Sequence, residues 1–125
     1  MTLKHPFAAQ VFFNGALDDA TAARYCQNFF ADSRSGLDLR DYTASLPRWP
    51  VDANGEWTAK PAGLKDLVVG CSDDFVVDDV AVQEMADFMG VAPTIIDGAP
   101  HDLMLAPGVA KPACDLVAEW IKATS

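Results

Sequence analysis

Basic residues are scarce in this 125-residue chain: nine lysines and arginines stand against eighteen aspartates and glutamates, a formal net charge of −9. A surface of that sign repels phosphate backbones and anionic lipid, which argues against nucleic-acid and membrane-surface partners. It leaves solubility as the role of the acidity. Histidine is rarer still, with two residues, and the three cysteines (Cys26, Cys71 and Cys114) form no Cys-x-x-Cys pair. No zinc-type ligand spacing can be assembled from so few donors. Cysteines in such a pattern are expected as reduced thiols in a cytosolic protein. No metal or other cofactor is expected. No apolar run approaches the ~18 residues that a membrane-spanning helix needs. Lys4 precedes a short apolar FAAQVFF, but no cleavage-site pattern follows. A secretory leader is therefore not expected, and the expected location is the cytoplasm. Internal repeats and low-complexity tracts are absent too.

What is present is globular in character. Half of the residues are hydrophobic and 22% are charged, and the length suits one domain with a modest core. The pattern changes near the middle of the chain. Residues 1–63 read as an irregular, aromatic-bearing segment with one clear helix, starting at Asp18 or Asp19 and running to about Phe30. Either aspartate can cap it, and Ala22, Tyr25, Cys26 and Phe29 then fall on one apolar stripe. Pro47, Pro50, Asn54-Gly55, Pro61 and Gly63 break up the stretch that follows. Trp49 and Trp57 sit among these breakers, either covering a small core or lining a pocket.

Residues 64–125 alternate strand, helix, strand, helix. LKDLVVG and PTIID read as strands, and DDVAVQEMADFM as a helix with Val82, Met85, Ala86 and Met89 on one face. Gly90 follows where a C-cap needs positive φ. The last helix carries Pro112 in its first turn and Ala113, Leu116, Val117, Trp120 and Ile121 on its inner face. The alternation predicts an α/β arrangement of parallel strands joined by a right-handed helical crossover.

In such sheets chemistry collects beyond the carboxyl ends of the strands. Here Asp73 and Asp74 follow the first strand, and His101, in GAPHDLML, follows the second. Parallel neighbours would bring both loops to one edge. A carboxylate holding a histidine Nδ1–H fixes the tautomer and makes the ring a general base. The plainer alternative makes both aspartates turn or capping residues and His101 a loop histidine.

DLVVGCSDDFVVDD, TIIDGAPHDLMLAPG and the closing LVAEWI together resemble the C-terminal part of the α/β-hydrolase fold, over roughly 64–123. The resemblance implies a catalytic triad with Asp74 as acid, directly before the apolar Phe75-Val76-Val77, and His101 as base. Asp73 then becomes a turn neighbour, Asp102 a solvated or supporting carboxylate, and Met104 and Leu105 packing residues. It implies a closing helix packed back on the sheet. Residues 1–63 take the place of the lid, with Phe12, Phe13, Phe29 and Phe30 lining an apolar pocket or packing as core. The expected chemistry is esterase-like hydrolysis of an apolar ester or acyl compound.

One part of that pattern is missing. The family's nucleophile stands in a Gly-x-Ser-x-Gly elbow, and no two of the eight glycines here are four apart. The HGGG-type oxyanion loop is missing as well. Ser72 sits beside the acid, where it cannot replace a nucleophile on another strand. Cys71 is a nucleophile by type only. The chain therefore looks like the C-terminal half of a hydrolase, inactive alone, whose unpaired strand edge should draw a complementing N-terminal half or another copy of itself. Two alternatives remain open. One is a non-catalytic α/β binding or dimerisation module. The other is a stand-alone enzyme using Cys71 or Asp73.

Overall fold

The computed structural model describes residues 5–32, 50–54, 58 and 62–125. It opens with a helix that the sequence pattern does not announce, α1 (His5–Phe13). Its residues, HPFAAQVFF, are apolar on nearly every side, so no polar stripe marks the helical period. Pro6 stands in the first turn, where a missing N–H costs little. The helix stops at Asn14, whose φ of 44° is a left-handed value that asparagine tolerates.

α2 (Asp19–Asp32) starts as its capping pattern predicts. Asp18 Oδ1 accepts the Thr21 amide at 2.9 Å, and Oδ2 accepts the Thr21 hydroxyl at 2.8 Å. That amide first, and then the hydroxyl, hold the Asp18 carboxyl below the usual carboxylate range. The two helices close on an aromatic group: Phe13, fully buried, stacks on Tyr25 and Phe29, while Phe12 meets Phe29 edge-on at 5.5 Å. Trp49, Trp57 and the Phe30 side chain lie outside the described residues.

β1 (Val69–Cys71) and β2 (Thr94–Ile96) pair in parallel, with Val69 opposite Thr94, Gly70 opposite Ile95 and Cys71 opposite Ile96. Both are shorter than the apolar runs LKDLVVG and PTIID suggest. Among the described residues each strand has one neighbour, and pairing lasts only as far as that neighbour does. The Thr94 amide bonds the Val68 carbonyl, and the Ser72 amide bonds the Ile96 carbonyl, extending the ladder at each end.

The crossover is α3 (Asp79–Met89). Asp78 caps it by accepting the Ala81 amide at 2.9 Å. Gly90, at φ 70°, ends it, and the Val91 amide returns to the Ala86 carbonyl. Val82 and Ala86 pack with Val68 into a small core flanked by Val77, Met89 and Val91. Met85, expected on the same face, is instead exposed. α4 (Ala110–Thr124) holds Pro112 in its first turn as expected. Its apolar stripe does not pack as the resemblance implies: Ala113 is buried, Leu116 and Trp120 are half-buried, and Val117 and Ile121 are exposed. Two three-residue strands offer little face, and α3 already occupies part of it. No helix among the described residues is long and apolar enough to cross a membrane.

Gly70 sets how closely α3 approaches the sheet. A Cβ there would sit 2.8 Å from Ile95 Cδ1 and 2.8 Å from Val82 Cγ1. The isoleucine tip can swing away, but a β-branched valine fixed in the core has little freedom. Gly70→Ala is expected to destabilise the fold by about 1–3 kcal/mol through overpacking. Urea unfolding followed by circular dichroism measures it.

Candidate functional site

The parallel register delivers the two strand exits to the same edge. β1 ends at Cys71, and the chain turns through Ser72 and Asp73, whose amide bonds the Ala99 carbonyl at 3.0 Å. Asp74 Oδ1 accepts the amides of Val76 at 2.7 Å and Val77 at 3.0 Å, an aspartate-centred turn. The same carboxylate faces His101, whose Nδ1 lies 3.1 Å from Oδ1 and 3.0 Å from Oδ2. The Asp74 side chain is 7% exposed and that of His101 is 30% exposed.

Burial by itself would push the Asp74 carboxyl up. The Val77 amide, the His101 ring, the Val76 amide and the charge of His101 together outweigh it and hold the group below its ordinary value. An ionised carboxylate only accepts, so Nδ1 must be the protonated nitrogen. In the neutral ring this leaves the lone pair on Nε2, the arrangement a general base requires.

The histidine loop is fastened from two other directions. The Gly98 amide donates to Ser72 Oγ at 2.7 Å, and Ala99 and Pro100 are buried behind the turn. The Asp102 amide donates to the Phe12 carbonyl at 2.9 Å, and the Phe12 ring lies 5.8 Å from the His101 ring. Burial raises the Asp102 carboxyl, an effect that the nearby His101 partly offsets. Met104 and Leu105, expected to pack, are exposed.

Of the sequence-predicted candidates, the structure brings Asp74 and His101 together. Asp73 faces the other way: its Oδ1 lies 3.3 Å from Ser72 Oγ, with Asp97 Oδ1 at 3.4 Å from the same hydroxyl. Ser72 is therefore engaged in joining the two loops. Cys71 is buried in β1, and its thiol is pushed up first by that burial and then by the Asp74 charge. Since the thiolate is the reactive form, both effects disfavour a nucleophilic role. Two features of the site were not foreseen. The amides at Val76 and Val77 follow Asp74 at the spacing of an aspartate turn, so a signal existed. The Phe12 contacts cross 89 positions of chain and leave none. Among the described residues no group of three or more histidine, cysteine or acidic side chains could hold a metal ion.

Comparisons with protein-family models, with curated proteins and with solved structures each found no match to the chain.

Two outcomes follow from the electrostatics. Because the folded Asp74 carboxyl titrates below its unfolded counterpart, its contribution is complete above about pH 4 and is lost as pH falls through the folded value. Asp74→Asn should lower stability near neutrality by about 1–3 kcal/mol, with the deficit narrowing below about pH 4. Denaturant titrations across pH 3–7 test this. Iodoacetamide should label exposed Cys114 in the native protein and reach buried Cys71 only on unfolding, as mass spectrometry of the labelled peptides would reveal.

Proposed function

We propose that this chain supplies the acid and base of a serine-type α/β-hydrolase, with Asp74 as triad acid and His101 as general base. The observation that carries the reading is the buried Asp74 carboxylate on His101 Nδ1 at 3.0–3.1 Å, formed by loops that leave neighbouring parallel strands. The motifs GCSDDFVV and GAPHDLML supply it in the family's order, acid then histidine.

In the proposed mechanism, Asp74 holds the Nδ1–H tautomer and stabilises the imidazolium that forms when Nε2 takes a proton from a serine hydroxyl. The serine attacks an acyl carbon; His101 then returns the proton to the leaving group. Deacylation repeats the sequence with water as nucleophile. The serine elbow and oxyanion donors come from outside these 125 residues, since no Gly-x-Ser-x-Gly lies within them. The buried thiol at Cys71 and the hydrogen-bonded hydroxyl at Ser72 give no substitute. The substrate class in this reading is an ester or acyl compound with an apolar group. Exposed Phe75 and Val76 after the acid, and Met104 and Leu105 after the base, support an apolar surrounding.

The other reading is a hydrolase-derived association module. The exposed Val117 and Ile121 on α4 favour it, because such a stripe calls for cover. The experiment that separates the two combines this chain with a Gly-x-Ser-x-Gly-bearing N-terminal half and measures p-nitrophenyl ester hydrolysis. Activity is expected from the mixture, and His101→Ala should abolish it with the complex still assembled. Asp74→Asn should lower kcat by up to ~10⁴-fold. A fully active His101→Ala complex, or no labelling by a fluorophosphonate in any pairing, would leave the association module standing instead.

A further inference from the structure

We propose that Phe12 is a positioning residue for His101, and that α1 and α2 hold the imidazole in the orientation that Asp74 alone cannot enforce. The inference rests on the reading of His101 as a base and adds a residue to it.

A hydrogen bond at Nδ1 fixes one point of the ring. The terminal torsion of histidine is broad, so the ring can still pivot about that point and shift Nε2. Two contacts from residue 12 restrict the pivot. The Phe12 ring stands 5.8 Å from the imidazole at an interplanar angle of 39°, a contact separate from the Asp74 hydrogen bond. The Phe12 carbonyl accepts the amide of Asp102, which pins the backbone directly after His101 at 2.9 Å.

That carbonyl is available for a physical reason. It belongs to the last turn of α1, whose carbonyls have no partner within the helix. Asn14 takes a left-handed conformation there, and the helix goes no further. The His101 loop therefore satisfies an acceptor that the end of α1 leaves open. Phe12 is itself braced, edge-on against Phe29 of α2 at 5.5 Å. Phe13, fully buried between Tyr25 and Phe29, locks α1 to α2. The contacts form one series: Phe29 on Phe12, Phe12 on His101, His101 on Asp74.

The test reads the imidazole directly in the full chain labelled with ¹³C and ¹⁵N. With the tautomer held by Asp74, the orientation of the ring is read from nuclear Overhauser contacts of the His101 ring protons and from ¹³C relaxation of its two C–H groups, which separate a fixed ring from a pivoting one. The chain has two histidines, so His101→Gln assigns the signals by subtraction. Wild type is expected to show a His101 ring as rigid as its backbone, with contacts to the Phe12 ring. Phe12→Leu keeps an apolar side chain but removes the flat ring; its His101 ring should relax as a mobile group, with helical circular dichroism unchanged. Phe12→Tyr should restore the wild-type rigidity. A Phe12→Leu protein that is less stable yet keeps a rigid His101 ring would reduce Phe12 to a packing role and overturn the proposal. A wild-type ring already mobile would overturn it too, since nothing would then be held. No substrate is needed, so absence of hydrolysis in every pairing would defeat the hydrolase reading while leaving this result to stand.

Discussion

A carboxylate whose oxygens are largely withdrawn from water must be met by donors, and the donors available to Asp74 decide how the turn after β1 meets the loop after β2. Its two oxygens receive the amides of Val76 and Val77 from its own turn and Nδ1 of His101 from the loop after β2. The two amides stay with the turn whichever way the histidine loop lies, but a hydrogen bond to a charged group is worth about 1.5–3 kcal/mol, so the turn after β1 and the histidine loop do not separate cheaply. Secondary ties follow the same line, from Asp73 to Ala99 and from Gly98 to Ser72. The α1 end joins them through Phe12.

The same close fit appears beneath the site. Gly70 has no side chain, so Val82 and Ile95 can approach it directly. α3 therefore lies near the sheet. A glycine in a strand ordinarily weakens it. Here it trades strand propensity for helix proximity. The buried groups around it are small, mostly valine and alanine, which suits two very short strands.

Some of this was legible in the residues. α2 and α3 declare themselves through the caps at Asp18 and Asp78, the apolar spacing, and Gly90 at the end of α3. The alternation of strand and helix sets Asp74 and His101 on one edge, because only parallel pairing follows simply from a helical crossover. Choosing Asp74 over Asp73 needed more than spacing. It depended on a resemblance and on which carboxylate turns inward, a matter of backbone geometry that two adjacent aspartates do not reveal. α1 was hidden because a helix apolar on nearly all sides carries no periodic signal. Strand lengths were overestimated because an apolar run records suitability for burial, whereas a strand also needs a neighbour. The uncovered stripe on α4 shows the same gap: amphipathic spacing states which face seeks cover and not whether cover is present.

That uncovered surface bears on what the Asp74–His101 pair is for. Phe75, Val76, Met104 and Leu105 are exposed beside the paired side chains, and Val117 and Ile121 are exposed on α4. Fully burying one such side chain is worth about 1.5–3 kcal/mol, of which these part-covered residues, 38–66% exposed, would gain a fraction each. The net charge of −9 opposes indiscriminate self-association, which makes the identity of the covering surface a matter of fit. A dimerisation module accounts for a stripe that seeks cover, and it would use the Asp74 carboxylate on His101 only as a tie between two loops. A hydrolase part would use both: the pair for proton transfer and the α4 stripe for the polypeptide that brings the serine. The coexistence of the two features, more than either one, favours the catalytic reading.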